Sequence, residues 1–378
     1  MAYLFPEEDR DLYESVKEFC EKEVKEQCKE FDKTGEWPSK IYDMAMDMGL
    51  HMMEVPEAYG GLELNRTTNL ALVELMAAAD AGFATSFNAS SLALNAILIS
   101  GSEELKHRAC KILEEKKFGA FALTESDAGS DAGAGKTVAV RDGDSYVLNG
   151  RKCFITNGGV AGFYVVTAMT KKGVGVSGMS AFFVEAGTPG LSTGAEENKL
   201  GIRTSNTCDV VLDNCRIPAE NLIGKEGEGF KIAMKTLDHG RVLCACAAAG
   251  IIQRSIDESV AYAKERIAFG KPLIKNQALS FKIADMAIKA ETSRQMAAHC
   301  AALMDRGMPY SKEAAMAKAF AADGAMFAAS EAIQIFGGYG YIHEYPVEKL
   351  LRDAKIFQIY EGTCEICRMV VAGAVIGR

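Results

Sequence analysis

The apolar spacing of this chain changes twice, and those changes constrain its fold more than any single motif. From residue 7 to about 118 the spacing is helical. In DRDLYESVKEFCEKEV the residues Leu12, Val16, Phe19 and Val24 recur between charges as an amphipathic stripe. NLALVELMAAADAGFATSFNASSLALNAILIS is apolar almost all round, which predicts a buried helical pair. Near residue 119 the pattern becomes β. TVAVRDGDSYVLNGRKCFITNGG carries Asp142-Gly143, Asn149-Gly150 and Asn157-Gly158, dipeptides that mark hairpin turns between apolar runs. GFYVVTAMT, MSAFFVEA and TCDVVLDNCRI follow with no helix between them, predicting an antiparallel barrel or sandwich over residues 119–225. From about residue 226 the helical period returns. The reading is an α+β multidomain chain: an N-terminal helical domain (1–118), a middle antiparallel β-barrel (119–225) and a C-terminal four-helix bundle (226–378). A chain of 378 residues is too long for one simple core, which agrees with such a division.

Charge and composition exclude several function classes. The net charge of −9 and the lack of a basic run argue against a nucleic-acid surface. No run of about 18 uncharged apolar residues is present, so no membrane-spanning helix is expected. The N-terminus MAYLFPEEDRDLYESV is acidic without a signal-peptide apolar stretch, which reads as a cytoplasmic protein. The eleven cysteines are scattered, and free thiols are expected. Cys364 and Cys367 form a C-x-x-C without a second pair, so buried thiols are expected there in preference to a redox or zinc site. No metal site is expected.

The glycine-rich segments fail as nucleotide fingerprints. No P-loop is present, and GKEGEG and GGYGY lack the strand–turn–helix context of a dinucleotide fold. Gly337, Gly338 and Gly340 follow a helix end, where they either cap it or let a phosphate approach the backbone. FALTESDAGSDAGAG places Thr124, Ser126 and Ser130 at the helix-to-barrel boundary, suited to an anionic or heteroaromatic ligand. QIYEGT sets Glu361 between Tyr360 and Gly362 directly after the apolar AKIFQIY. That carboxylate either caps or ion-pairs at a helix end, or sits in a dry pocket where desolvation makes it a general base near neutral pH.

FALTESDAGSD, FITNGG, LDHGR, ERIAFGKPLIKNQ, QIFGGYGY and LRDAKIFQIYEGT, taken in order, resemble the signatures of the acyl-CoA dehydrogenases, particularly the short-chain type. The resemblance spans essentially the whole chain. It implies FAD, a CoA thioester substrate and α,β-dehydrogenation, with electrons passed to an electron-transferring flavoprotein. Phe121, Leu123 and Thr124 would contact the flavin, with Ser130 near the CoA or flavin phosphates. Phe154, Ile155 and Thr156 would lie beside the flavin ring. Arg266, Phe269 and Gln277, with Gln334, Ile335, Phe336, Gly337 and Gly338, would hold the ADP half of FAD across an interface in a homotetramer. Thr363, Cys364 and Glu365 would also touch FAD. Asp238, His239, Gly240 and Arg241 would line the substrate with Tyr360 and Gly362, and Glu361 would be the base. Phe87 and Asn88 would close the acyl pocket, limiting chains to about four carbons by leaving Asn88 desolvated against a longer tail.

The same residues serve the reverse reaction, so an enoyl-CoA reductase fed by a reduced, in some cases bifurcating, flavoprotein is the alternative. An acyl-CoA oxidase is disfavoured because those enzymes usually carry a further C-terminal domain. An inert scaffold member of the family is the remaining class; Glu361, Arg241 and the flavin loops oppose it.

Overall fold

The computed structural model describes residues 5–377. Six helices come first: α1 (Arg10–Phe19), α2 (Lys25–Thr34), α3 (Ser39–Asp47), α4 (Arg66–Ala79), α5 (Ala81–Ser100) and α6 (Glu103–Glu114). The sheet follows, with β1 (Phe118–Ala122), β2 (Val138–Asp142), β3 (Ser145–Thr156), β4 (Ala161–Met169), β5 (Met179–Glu185), β6 (Leu191–Glu196), β7 (Thr207–Pro218) and β8 (Leu222–Ile223). Then come α7 (Gly229–Glu265), the hairpin of β9 (Ile267–Ala268) and β10 (Lys271–Pro272), α8 (Gln277–Asp305), α9 (Ser311–Phe336), α10 (Val347–Phe357) and α11 (Cys364–Ile376). The long helices α7, α8 and α9 pack on one another, and the short α10 and α11 pack on α9.

The sheet departs from the antiparallel expectation. Its order is β6-β7-β3-β2-β4-β5-β8, antiparallel along most ladders, but β1 runs parallel to β4 with Phe121 opposite Val165. Val138 of β2 also pairs with Met169 in parallel. Parallel neighbours need a crossover, and here the β2–β3 hairpin supplies it in place of a helix. Of the three Asx-Gly signals, only Asp142-Gly143 closes a hairpin, with Gly143 at φ +60° and Asp142 opposite Ser145. Asn149-Gly150 lies inside β3 at a register shift, where a Cβ on Gly150 would sit 2.3 Å from Thr137 Oγ1. Asn157 (φ +64°) is buried, and its amide donates to the carbonyls of Ser86 (2.8 Å) and Gly119 (3.1 Å), tying β3 to α5 and β1.

Small residues set the helix spacing. Ala314, Ala317, Ala321, Ala325, Ala328 and Ala332 are fully buried along α9, and a Cβ on Gly250 would come within 2.5 Å of the Glu74 carbonyl, so α7 crosses α4 backbone to backbone. Among the described residues α5 is long and apolar enough to cross a membrane by length and composition, which the sequence reading did not anticipate; 67% of its window is buried inside the fold, as in a core helix.

Helix α10, which leads into the Glu361 segment, is clamped from the other two parts of the chain. Arg352 pairs with Asp32 on α2 (2.6 Å), and Lys349 pairs with Asp80 at the start of α5 (2.9 Å) and with Asp353. Asp353 also accepts the Ile202 N–H at 2.6 Å. Ile202 has φ +45°, a strained state for a β-branched residue that this contact helps to hold.

Candidate active site

Between the end of α10 and the start of α11 the chain turns through Glu361 (φ +57°) and Gly362 (φ +83°). A left-handed glutamate costs about 1–2 kcal/mol, so its surroundings must hold it. Arg241 Nε on α7 donates to the Glu361 carbonyl at 3.2 Å, and Lys318 Nζ on α9 donates to the Gly362 carbonyl at 2.6 Å. Thr363 caps α11, its hydroxyl accepting the Ile366 N–H at 3.2 Å. Glu361 therefore does not cap. Its Oε2 is buried and accepts no hydrogen bond among the described residues. Burial pushes the carboxyl up, the charges of Arg241, Lys318 and His239 pull it back, and it settles at about 7. This is the electrostatic state a general base needs near neutral pH.

The walls around that carboxylate come from α5 and α7. A Cβ on Gly240 would lie 2.6 Å from Glu361 Oε2 and 2.7 Å from Leu92 Cδ1, so the absence of a side chain at 240 makes the carboxylate's room. The Tyr360 hydroxyl meets Thr85 and Cys244, and its ring stands edge-on to Phe357 at 5.4 Å. Arg241 Nη1 donates to Asp238 Oδ1 at 2.8 Å, and Ser311 donates to the other Asp238 oxygen. Burial raises the Asp238 carboxyl, and those two partners oppose it.

Two of the expected substrate residues have side-chain partners among the N-terminal residues. His239 Nε2 lies 3.1 Å from Glu54 Oε2, so its ring is tied to the turn between α3 and α4. Phe87 packs into an aromatic cluster with Phe83 (5.1 Å), Phe118 (5.5 Å) and Tyr42 (5.8 Å). The α5 side chain found beside Gly240 is Leu92. Phe87 and Leu92 are five positions apart on α5 and project from different faces. Asn88 is half-buried.

A second cluster joins the first loop to β3. Lys152 Nζ donates to Glu125 Oε1 (2.7 Å), the Leu123 carbonyl (3.0 Å) and Thr167 (3.2 Å), while Cys153 N–H donates to the Thr124 carbonyl at 2.8 Å. Glu125 also accepts the Lys136 N–H at 2.6 Å. Burial works upward on Glu125, but Lys152 and these hydrogen bonds outweigh it and hold the carboxyl low. This buried pair staples Phe121–Thr124 against Phe154–Thr156. Phe154 is 66% exposed at φ +57°, an apolar ring held outward by strained backbone, while Ile155 is buried and Thr156 half-buried. Such strain marks sites where a ligand justifies it. Ser126 and Ser130 are exposed.

A third cluster lies at the β9–β10 hairpin. Phe269 at its tip is 99% exposed with φ +51°. Arg266 stacks over Tyr339 at 5.5 Å, and Tyr262 stacks on Phe336 at 4.1 Å, which brings the Arg266 segment beside Gln334–Gly338. Gln277, Gln334, Gly337 and Gly338 are exposed, and added Cβ atoms at Gly337 and Gly338 would meet nothing within 4 Å. Cys364 and Cys367 are buried free thiols pushed up by burial, and Glu365 is exposed.

Sequence reasoning missed Glu125, Lys152, Leu92 and Lys318. A single lysine inside the Ala-rich AAMAKAFAA was the available signal for Lys318.

The three parts of the chain match three family models: acyl-CoA dehydrogenase N-terminal domain (residues 6–113), middle domain (120–215) and C-terminal domain (227–376). The chain belongs to the acyl-CoA dehydrogenase family, an oxidoreductase family. Its fold is similar to that of the butyryl-CoA dehydrogenase of Megasphaera elsdenii, with a TM-score of 0.96 and 42% identity covering all of both chains. It is equally similar, with a TM-score of 0.96 and 45% identity over all of both chains, to a chain in a structure reported as an electron transferring flavoprotein of Acidaminococcus fermentans. The acryloyl-CoA reductase (NADH) of Anaerotignum propionicum is 42% identical, covering 100% of this chain and 97% of that one.

Proposed function

We propose that this protein is an FAD-dependent dehydrogenase that converts a short-chain acyl-CoA to its trans-2-enoyl-CoA and passes the electrons to an electron-transferring flavoprotein. The observation that carries this reading is the half-buried Glu361, whose buried Oε2 has no hydrogen-bond partner among the described residues and whose carboxyl is raised to about 7. A thioester α-proton is weakly acidic, so its removal needs a base that is ionised near neutral pH yet poorly solvated.

The chain's own residues fit a flavin: an outward Phe154 on strained backbone sits beside a loop fixed by the Lys152–Glu125 pair. Phe121, Leu123, Thr124 and Phe154–Thr156 would hold its ring side, with Ser130 near the CoA or flavin phosphates. Arg266, Phe269, Gln277, Gln334–Gly338 and Thr363–Glu365 would hold its ADP side. Bound flavin supplies the acceptor for the hydride leaving the substrate β-carbon. Glu361 takes the α-proton, Asp238 and Arg241 orient the thioester's pantetheine side, and the Glu361 amide polarises the carbonyl as enolate charge develops. Tyr360 and Leu92 keep the carboxylate dry.

The same groups run the reduction of an enoyl-CoA by microscopic reversibility. The likeness to an acryloyl-CoA reductase favours keeping that direction as the second reading. The exposed Ile267, Phe269, Phe281 and Ile288 support a homotetramer in which Arg266 reaches a partner's FAD. Eleven buried free thiols support a reducing, cytoplasmic setting. Domain divisions at 118/119 and 225/226 are part of the same proposal.

The test is anaerobic titration of the purified flavoprotein with butyryl-CoA. Wild type bleaches, while Glu361→Gln retains flavin and loses about 10²–10⁴-fold in bleaching rate. A colourless protein, or wild-type bleaching by Glu361→Gln, overturns the proposal.

A further inference from the structure

Lys318 has no exposed surface, and among the described residues no carboxylate lies within ion-pair distance of it. Its ammonium donates to one backbone carbonyl, that of Gly362, at 2.6 Å. A buried cation without a paired anion is costly, so a fold that keeps one at the edge of the active site calls for a reason. After Arg241, whose pull is larger, its charge draws the Glu361 carboxyl back down against burial.

The other groups facing Glu361 are already engaged or neutral. On α7, Arg241 is matched by Asp238 at 2.8 Å, and the His239 ring is taken by Glu54 at 3.1 Å. Cys244 on α7, Cys367 on α11 and Tyr360 are all pushed up by burial and stay uncharged at neutral pH. From α5 the neighbour is the apolar Leu92. Lys318 is thus the cation near the base whose charge no other carboxylate among the described residues neutralises.

We propose that Lys318 is the positioning residue of the base: its ammonium fixes the Gly362 carbonyl, and with it the left-handed turn that presents Glu361, and together with Arg241 it supplies the positive charge against which that carboxylate ionises. The inference rests on Glu361 being the base. It gives Lys318 a role in both halves of the proton's path. Before abstraction the positive charge keeps a useful fraction of Glu361 ionised in a pocket that would otherwise protonate it. After abstraction the same charge makes the neutral acid release its proton more readily.

The test is the pH dependence of flavin bleaching by saturating butyryl-CoA in the holoenzyme, for wild type, Lys318→Met and Glu361→Gln. Methionine fills the lysine stem without charge or donor. Expected for Lys318→Met is a rate limb moved to higher pH: on the order of tenfold slower than wild type at pH 6.5, with less than about threefold difference at pH 9. A purely structural lysine would lower the rate by the same factor at every pH. Where Lys318→Met does not accumulate with flavin, Lys318→Gln serves, because it keeps a donor and removes the charge; the same displacement of the limb is expected. A limb coincident with wild type in the folded variant overturns the inference. If Glu361→Gln bleaches like wild type, the assignment of the base fails instead, so the two failures are distinct.

Discussion

Gly240→Ala tests the geometry of the site more sharply than removal of the base does. The added methyl would lie 2.6 Å from Glu361 Oε2, 2.7 Å from Leu92 Cδ1 and 3.0 Å from Glu361 Cδ. An unstrained carbon–oxygen contact is about 3.2 Å or longer, so the carboxylate must retreat by roughly 0.6 Å or swing to another rotamer. Both obstacles are ends of flexible side chains, so the fold can yield. Alanine gains about 0.5–1 kcal/mol over glycine inside a helix, and repacking Leu92 costs a similar amount, leaving stability nearly unchanged. Catalysis is less forgiving, since about 1 Å of misplacement costs on the order of 10²-fold. The expected result is a flavin-replete protein with a thermal midpoint close to wild type and a bleaching rate with butyryl-CoA reduced about 10–100-fold. A wild-type rate would refute the placement of the Glu361 carboxylate against Gly240. A collapse of stability together with rate would show that the close contact is with something more rigid than two side chains.

The titration of Glu361 should appear in stability. Its folded pKa, raised from 4.5 to about 7, stabilises the fold fully below the unfolded value, and that contribution is lost as pH rises through 7. The linkage amounts to about 3 kcal/mol, so urea midpoints of wild type should fall between about pH 4.5 and 7 and level off above, relative to those of Glu361→Gln; parallel curves would contradict it. Glu125→Gln leaves Lys152 buried without its anion, and about 3–5 kcal/mol of stability should be lost. Adding Lys152→Met should restore much of it, and denaturant midpoints with flavin content report both. Arg266→Ala should lower flavin content and association state together, read by absorbance ratio and sedimentation; a flavin-replete tetramer would sink the role given to that guanidinium.

Much of this protein was determined by its sequence alone. Apolar spacing changes near residues 119 and 226, and the structure changes from helix to sheet at Phe118 and back to helix at Gly229. Those signals are legible because side-chain periodicity is local information, set by 3.6 residues per helical turn and two per strand repeat. QIYEGT likewise displays an acid in an apolar run, and the shared signatures point to the family. Tertiary structure decided the rest. Asn149-Gly150 and Asn157-Gly158 carry the same local preference as Asp142-Gly143. Yet packing of Gly150 against Thr137, and of Asn157 under Ser86 and Gly119, made one a register shift and the other a tie between layers. Helix α5 is apolar almost all round, so its periodicity could not say which face Phe87 or Leu92 would show; its neighbours chose. Arg241 reaches Glu361 across 120 residues of chain, and Lys318 reaches Gly362 across 44. No local pattern encodes such pairs. The charges that tune the base exist as a set only after three helices have packed, because desolvation and Coulomb attraction depend on distance through space, not along the chain.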